Sequence, residues 1–322
     1  MLGFQRDIVL CSVGFILCPN PHAAPPLILG YRRDIVLAFI RCGAGILRAV
    51  CVPLAFAEPA LSLLLLPQRS SSVNSRRVQL KMKPELTNVK ALVFDIFGTV
   101  VDWRGSVIAE GAAWGKAKNL HLDWVAFADR WRLGYKPAMN KVRKGEIPWT
   151  RLDDLHRMIL EELLVEFKIE GLTEEEKVSW THVWRRLNPW PDAVEGLARI
   201  KKKYLIAPLS NGNIALMAHL ARLRNFQWDA ILGAELVRHY KPDREVYVSA
   251  YDYLDLKPEE VMMCAAHIYD LQAARSVGLR TGFIHRPDEY GNGPVGVPDK
   301  ANPGDFDVVS SSIVDLAQQM GA

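Results

Sequence analysis

The stretch "ALVFDIFGTVVDW", residues 91–103, decides the fold of this chain. Four apolar residues run unbroken toward Asp95, and a turn carrying Gly98 and Thr99 follows at once. Such a run marks a strand covered on both faces, as in a parallel sheet packed between helices. In an open sheet of that kind, the carboxyl end of a strand faces the crevice where ligands bind. Asp95 stands at that end, so its carboxylate is read as a functional group and not as a structural anion.

Working outward, the pattern returns in "YLIAPLSNGN" (204–213), "DAILGAE" (229–235), "EVMMCAAH" (260–267) and "RTGFIH" (280–285), with helical stretches between the later runs. Strands alternating with helices predict an α/β fold, a doubly wound parallel-sheet (Rossmann-like) core. Between the first two runs, residues 105–188 are helical in period, rich in Trp, Arg and Glu, and without a strand signal. They are read as an inserted helical cap over the ligand-binding edge. The core is thus expected at 84–104 and 189–322. Four polar clusters fall at strand ends: Asp95 with Thr99, Ser210 with Asn211, Lys241 with Tyr247, and His267 with Asp270. One polar residue at a strand end means little, but four clusters on one edge converge on a site.

Residues 1–83 read differently. They hold an imperfect repeat, "RDIVLCSVGFIL" from Arg6 and "RDIVLAFIRCGAGIL" from Arg33, then a third apolar piece at 50–66. A membrane anchor wants about twenty uninterrupted apolar residues, and Pro53, Glu58 and Pro59 break the best window. The Arg- and Ser-rich, acid-poor character also resembles an organelle transit peptide. The third reading is an over-extended gene model, with Met82 as a natural beginning. Under all three, the segment is a leader expected to be disordered, without strands, and outside the fold.

The net charge of +4 is uneven, because these residues hold ten of the 40 Lys and Arg but three of the 36 Asp and Glu. The remainder is close to neutral, which excludes the basic patch of a nucleic-acid binder. No membrane partner is expected. Of five cysteines, Cys264 alone lies beyond residue 83. A main body without a disulfide framework fits a reducing compartment, cytoplasmic, or mitochondrial if the leader is real.

In their order, "FDIFGTVVDW", "LSNGN", "KPDREVY" and "AAHIYDLQAARSVGLRTGFI" resemble the four motifs of the haloacid dehalogenase superfamily, and "RPDEYG" resembles its type II 2-haloacid dehalogenases. The resemblance implies hydrolysis of a small 2-halo carboxylic acid through an aspartyl ester. Asp95 would be the nucleophile, Lys241 would hold it ionised, and Asp270 would orient or deprotonate the hydrolytic water. Ser210, Thr99 and backbone amides would receive the substrate carboxylate, and Tyr247 would support the site by a hydrogen bond. The cap would supply a guanidinium for the halide: Arg132, directly after Trp131, is favoured over Arg130, with Asn211 across the cleft.

Phosphatase members carry a second Asp two residues after the nucleophile and another in the fourth motif that serves Mg²⁺. Those positions here are Phe97 and Ala265. Halide leaves without a proton, so neither is missed, and no metal or other cofactor is expected. Type II members commonly read Ser-Ser-Asn where this chain reads Ala265-Ala266-His267, which leaves His267 open as a second base, a halide-side donor or a structural residue. The alternatives are a Mg²⁺-dependent phosphatase of the same superfamily and a non-catalytic relative that binds a small carboxylate. A homodimer is common among the proteins this chain resembles.

Overall fold

In the computed structural model, residues 27–32, 35–42 and 46–53 are described as backbone, and 84–322 are described apart from residue 294. Residues 1–77 and 78–322 are two separate compact units. In the first, β1 (Leu27–Arg32), β2 (Ile35–Cys42) and β3 (Ile46–Pro53) pair antiparallel in chain order. This corrects the expectation of a leader without strands. The segments are rich in Ile, Val and Leu and six to eight residues long, which suits strands. The rest of 1–83, and with it the three readings of a leader, lies outside the described residues.

The second unit begins with β4 (Ala91–Phe94) and a short β5 (Val101–Asp102). Four helices follow, α1 (Trp103–Lys118), α2 (Trp124–Arg143), α3 (Leu152–Glu166) and α4 (Glu174–Thr181). β6 (Asn188–Pro189) then returns antiparallel to β5, so this two-strand ribbon closes the base of the helical stretch. The remaining chain runs α5 (Ala193–Ile200), β7 (Leu205–Ser210), α6 (Ile214–Arg224), β8 (Leu232–Gly233), α7 (Ala234–Val237) and α8 (Arg244–Asp252). It ends with β9 (Val261–Ala265), α9 (Ile268–Ser276), β10 (Arg280–Ile284), β11 (Val308–Ser310) and α10 (Ile313–Gln319).

Six of these strands form one parallel sheet in the order β11-β10-β9-β4-β7-β8. The chain moves outward from β4 through β7 to β8, then crosses back to β9 and outward again. The reversal falls between β4 and β9, and a crevice opens there beyond the strand ends. Both strands are wholly buried, as their unbroken apolar sequences require of a sheet with helices on both faces. β11 escaped sequence reading because three residues are too few to show a period.

Aromatic rings fill the helical stretch. Trp103, Trp131 and Trp184 are completely buried, and Trp131 and Trp184 meet edge to face at 5.6 Å. Each such burial stabilises by roughly 3 kcal/mol or more. Among the described residues, no helix is long and apolar enough to cross a membrane.

Candidate active site

Asp95 follows β4 directly, and its N–H donates to the Cys264 carbonyl of β9 at 3.0 Å. The chain turns at Gly98, whose φ is +88°. A Cβ there would lie 2.1 Å from Glu289 Oε1, so both backbone and neighbour demand glycine. Thr99, completely buried, donates to Asp95 Oδ2 at 2.9 Å and accepts from the Ala266 N–H at 2.9 Å. A hydroxyl has one proton to give, and this one goes to Asp95. The expected contact of Thr99 with a substrate carboxylate therefore gives way to a contact that orients Asp95.

Lys241, in the loop after α7, brings two carboxylates together. Its Nζ lies 2.8 Å from Asp270 Oδ2 and 3.5 Å from Asp95 Oδ1. Asp270 sits in the first turn of α9, and its Oδ1 accepts from the Tyr247 hydroxyl of α8 at 2.5 Å. Asn211 Oδ1 accepts from the Lys241 backbone N–H at 2.8 Å, which seats that loop. Ser210 Oγ accepts from Gly212 N–H at 3.0 Å, and its own proton remains to donate.

His267 is buried in a bridge. Its Nδ1 is 3.1 Å from Asp95 Oδ2, and its Nε2 is 3.1 Å from both oxygens of Glu289. Sequence reading missed Glu289, although it lies in "RPDEYG". The neighbouring Arg286 anchors its loop, donating to the Thr99 carbonyl at 2.9 Å and pairing with Asp192 at 2.7 Å. The Trp103 indole adds a donor to Glu289 at 3.2 Å.

From the helical stretch, Arg132 of α2 is half-buried, with its guanidinium 4.4 Å from the Tyr135 ring and 5.3 Å from the Trp103 ring. Among the described residues, its Nη1 has no hydrogen-bond partner. Arg130 instead points outward and pairs with Glu166 at 2.8 Å. Burial pushes the Tyr135 hydroxyl up to about 12, opposed by the Arg132 charge and by Asn211, and among the described residues no hydrogen bond joins Asn211 to Arg132. Phe97 is buried edge-on against Trp184 at 5.9 Å and Tyr135 at 6.5 Å.

Burial by itself would raise the Asp95 pKa. The charge of Lys241, followed by the hydrogen bond and charge of His267, outweighs it and holds Asp95 well below the usual carboxylate range. Asp270 moves up, because burial, reinforced by the nearby Asp95 charge, exceeds the pull of Lys241. Burial also opposes charge on His267, yet Glu289 and then Asp95 push its imidazole up to about 10. At neutral pH both of its nitrogens are donors.

The two oxygens of Asp95 are thus unequal. Oδ2 is held by two donors, while among the described residues Oδ1 has only the longer contact to Lys241. The former can stabilise developing charge, and the latter is available to attack.

The chain matches the haloacid dehalogenase-like hydrolase family over residues 89–278. It is 47% identical to the L-2-haloacid dehalogenase PA0810, whose crystal structure superposes with a TM-score of 0.68 over 72% of this chain and 99% of that one. The defluorinating L-2-haloacid dehalogenase Rha0230 is 42% identical, with a TM-score of 0.71 over 75% and 99%. Among curated relatives, (S)-2-haloacid dehalogenase 4A of Burkholderia cepacia is 28% identical over 65% of this chain and 89% of its own length. (S)-2-haloacid dehalogenase 1 of Pseudomonas sp. (strain CBS-3) is 29% identical over 64% and 90%.

Proposed function

The chain is a member of the haloacid dehalogenase-like hydrolase family, and from that premise we propose that it hydrolyses the carbon–halogen bond of a small 2-haloalkanoic acid, giving the 2-hydroxy acid and halide. The observation that carries this reading is the unequal engagement of the two Asp95 oxygens. In the first step Oδ1 attacks C2 in line, and the halide leaves with the electron pair of the broken bond. Arg132 Nη1 is the donor for that anion, while Ser210 and nearby backbone amides take the substrate carboxylate. The product of the step is an ester on Asp95.

In the second step water adds to the carboxyl carbon of that ester, and negative charge develops on Oδ2. Thr99 and the His267 imidazolium already donate there. Preorganised donors of this kind are each worth roughly 10²–10³ in rate. Asp270, steadied by Tyr247 and Lys241, orients the water and takes its proton. Lys241, beside Oδ1, protonates the departing alkoxide and recovers a proton from Asp270 across their 2.8 Å contact. The product hydroxyl oxygen therefore comes from Asp95, and the carboxylate keeps the oxygen of water.

Lys241 also supplies the positive charge between two carboxylates that a metal supplies elsewhere, so the reaction proceeds without one. Phe97 and Ala265 support this, since neither can give a proton or bind a cation. A single turnover in ¹⁸O water is expected to label Asp95. Label found only in the product would mean that water attacks carbon directly. Halide release should persist in EDTA, whereas phosphate release abolished by EDTA would identify a phosphatase.

A further inference from the structure

The helical stretch buries polar atoms that the reaction above leaves unused. His156 of α3 is completely buried, and among the described residues neither ring nitrogen has a partner. The Trp184 indole N–H is likewise unpartnered, and its ring stacks on His156 with centroids 4.2 Å apart. Arg132 Nη1 is a third such group. Tyr135 connects His156 to Arg132, with its ring 4.4 Å from the Arg132 guanidinium and 5.9 Å from the His156 ring. Buried polar groups rarely stay unmatched. A guanidinium and an imidazole beside one tyrosine, the imidazole stacked on an indole with a spare N–H, are matched by a small anion.

We propose that His156, together with Arg132 Nη1, receives the departing halide and sets a preference for the smaller halogens. The proposal rests on the dehalogenase reading and adds a specificity-determining residue to it. Burial, followed by the charge of Arg132, keeps the imidazole neutral, and a neutral ring still has one N–H to give. No proton is transferred: the carbon–halogen bond breaks with its electron pair as the Oδ1–carbon bond forms. Fluoride concentrates its charge most, so its departure depends most on charged hydrogen bonds. Bromide spreads its charge over a larger ion, so its departure depends on those donors least.

The test compares halide release from 2-fluoro-, 2-chloro- and 2-bromopropionate by the wild type, His156→Phe and His156→Gln, each checked for folding by thermal melting. His156→Phe should lower kcat/KM for the fluoro acid about 100-fold and for the bromo acid less than about tenfold. His156→Gln, which keeps an N–H, should recover most of the fluoro rate. Should His156→Phe fail to fold, product inhibition of the wild type decides, with fluoride expected to inhibit more strongly than bromide. A wild type that releases chloride but not fluoride, a His156→Phe that slows all three acids alike, or stronger inhibition by bromide overturns the inference and leaves the dehalogenase reading intact. A wild type that releases no halide overturns both.

Discussion

His267 shows how much a single substitution in a motif can reorganise. A bare imidazole near neutrality would be a natural base, but held between Asp95 and Glu289 it carries a proton until about pH 10. Its place is that of a donor to Asp95 Oδ2. The linkage has a definite sign: the folded protein binds this proton more tightly than the unfolded chain, whose imidazole titrates near 6.5. The stabilisation is complete below that value and is lost as pH rises through about 10. Melting temperature should therefore fall from near-neutral to alkaline pH, and His267→Asn should flatten the decline. That variant keeps an N–H, so it should retain activity within about tenfold. A wild-type rate that drops on acidification between about pH 7.5 and 5.5, with the drop absent in His267→Asn, would instead mark the ring as a base.

At the scale of elements, Asn213 links the sheet to the helical stretch. Its position before α6 reads as an N-cap, yet its side chain does not cap that helix. Glu235 takes the Ile214 N–H at 2.7 Å instead. Asn213 is thereby released to donate to Asp153 Oδ2 of α3 at 2.9 Å and to accept from the Asp153 N–H at 3.2 Å. Arg185 adds a contact to the same carboxylate at 2.6 Å. Asn213→Ala should leave α6 intact and cost about 1–3 kcal/mol through the buried groups left unpaired, read by urea unfolding. Because α2 and α3 carry Arg132 and His156, KM for a 2-halo acid should rise more than kcat falls. A variant with normal KM and reduced kcat would show that the link does not position the substrate-facing helices.

For the whole molecule, every residue of the proposed site lies within 78–322, which holds together as one unit. Removing residues 1–81 should leave that unit folded, with a melting temperature and a rate of halide release within about twofold of those of the full chain. Loss of folding would make the N-terminal segment part of the domain. Within the unit, Asp95, Asp270 and Glu289 face Lys241, His267 and Arg132, so the buried charges balance before substrate arrives. Such a cluster tolerates burial because each member except Arg132 has a close opposite charge. Under the proposed function, Arg132 is the cation left for an incoming anion.

The sequence by itself determined the parallel sheet and the residue types at its strand ends, because burial on both faces writes an unbroken apolar run into each strand. It also determined that Phe97 and Ala265 bring neither acid nor ligand. It offered Arg130 and Arg132 together, and the helix separates their directions: two residues apart means about 200° of rotation, so Arg132 turns its Nη1 inward and Arg130 faces solvent. Only the tertiary structure decided that Glu289 completes the bridge through His267, that Thr99 turns to Asp95, and which oxygen of Asp95 is the less engaged by donors. Those contacts join segments 22 to 172 residues apart in the chain or depend on the rotation of one hydroxyl. Such contacts follow from packing and leave no period in the sequence.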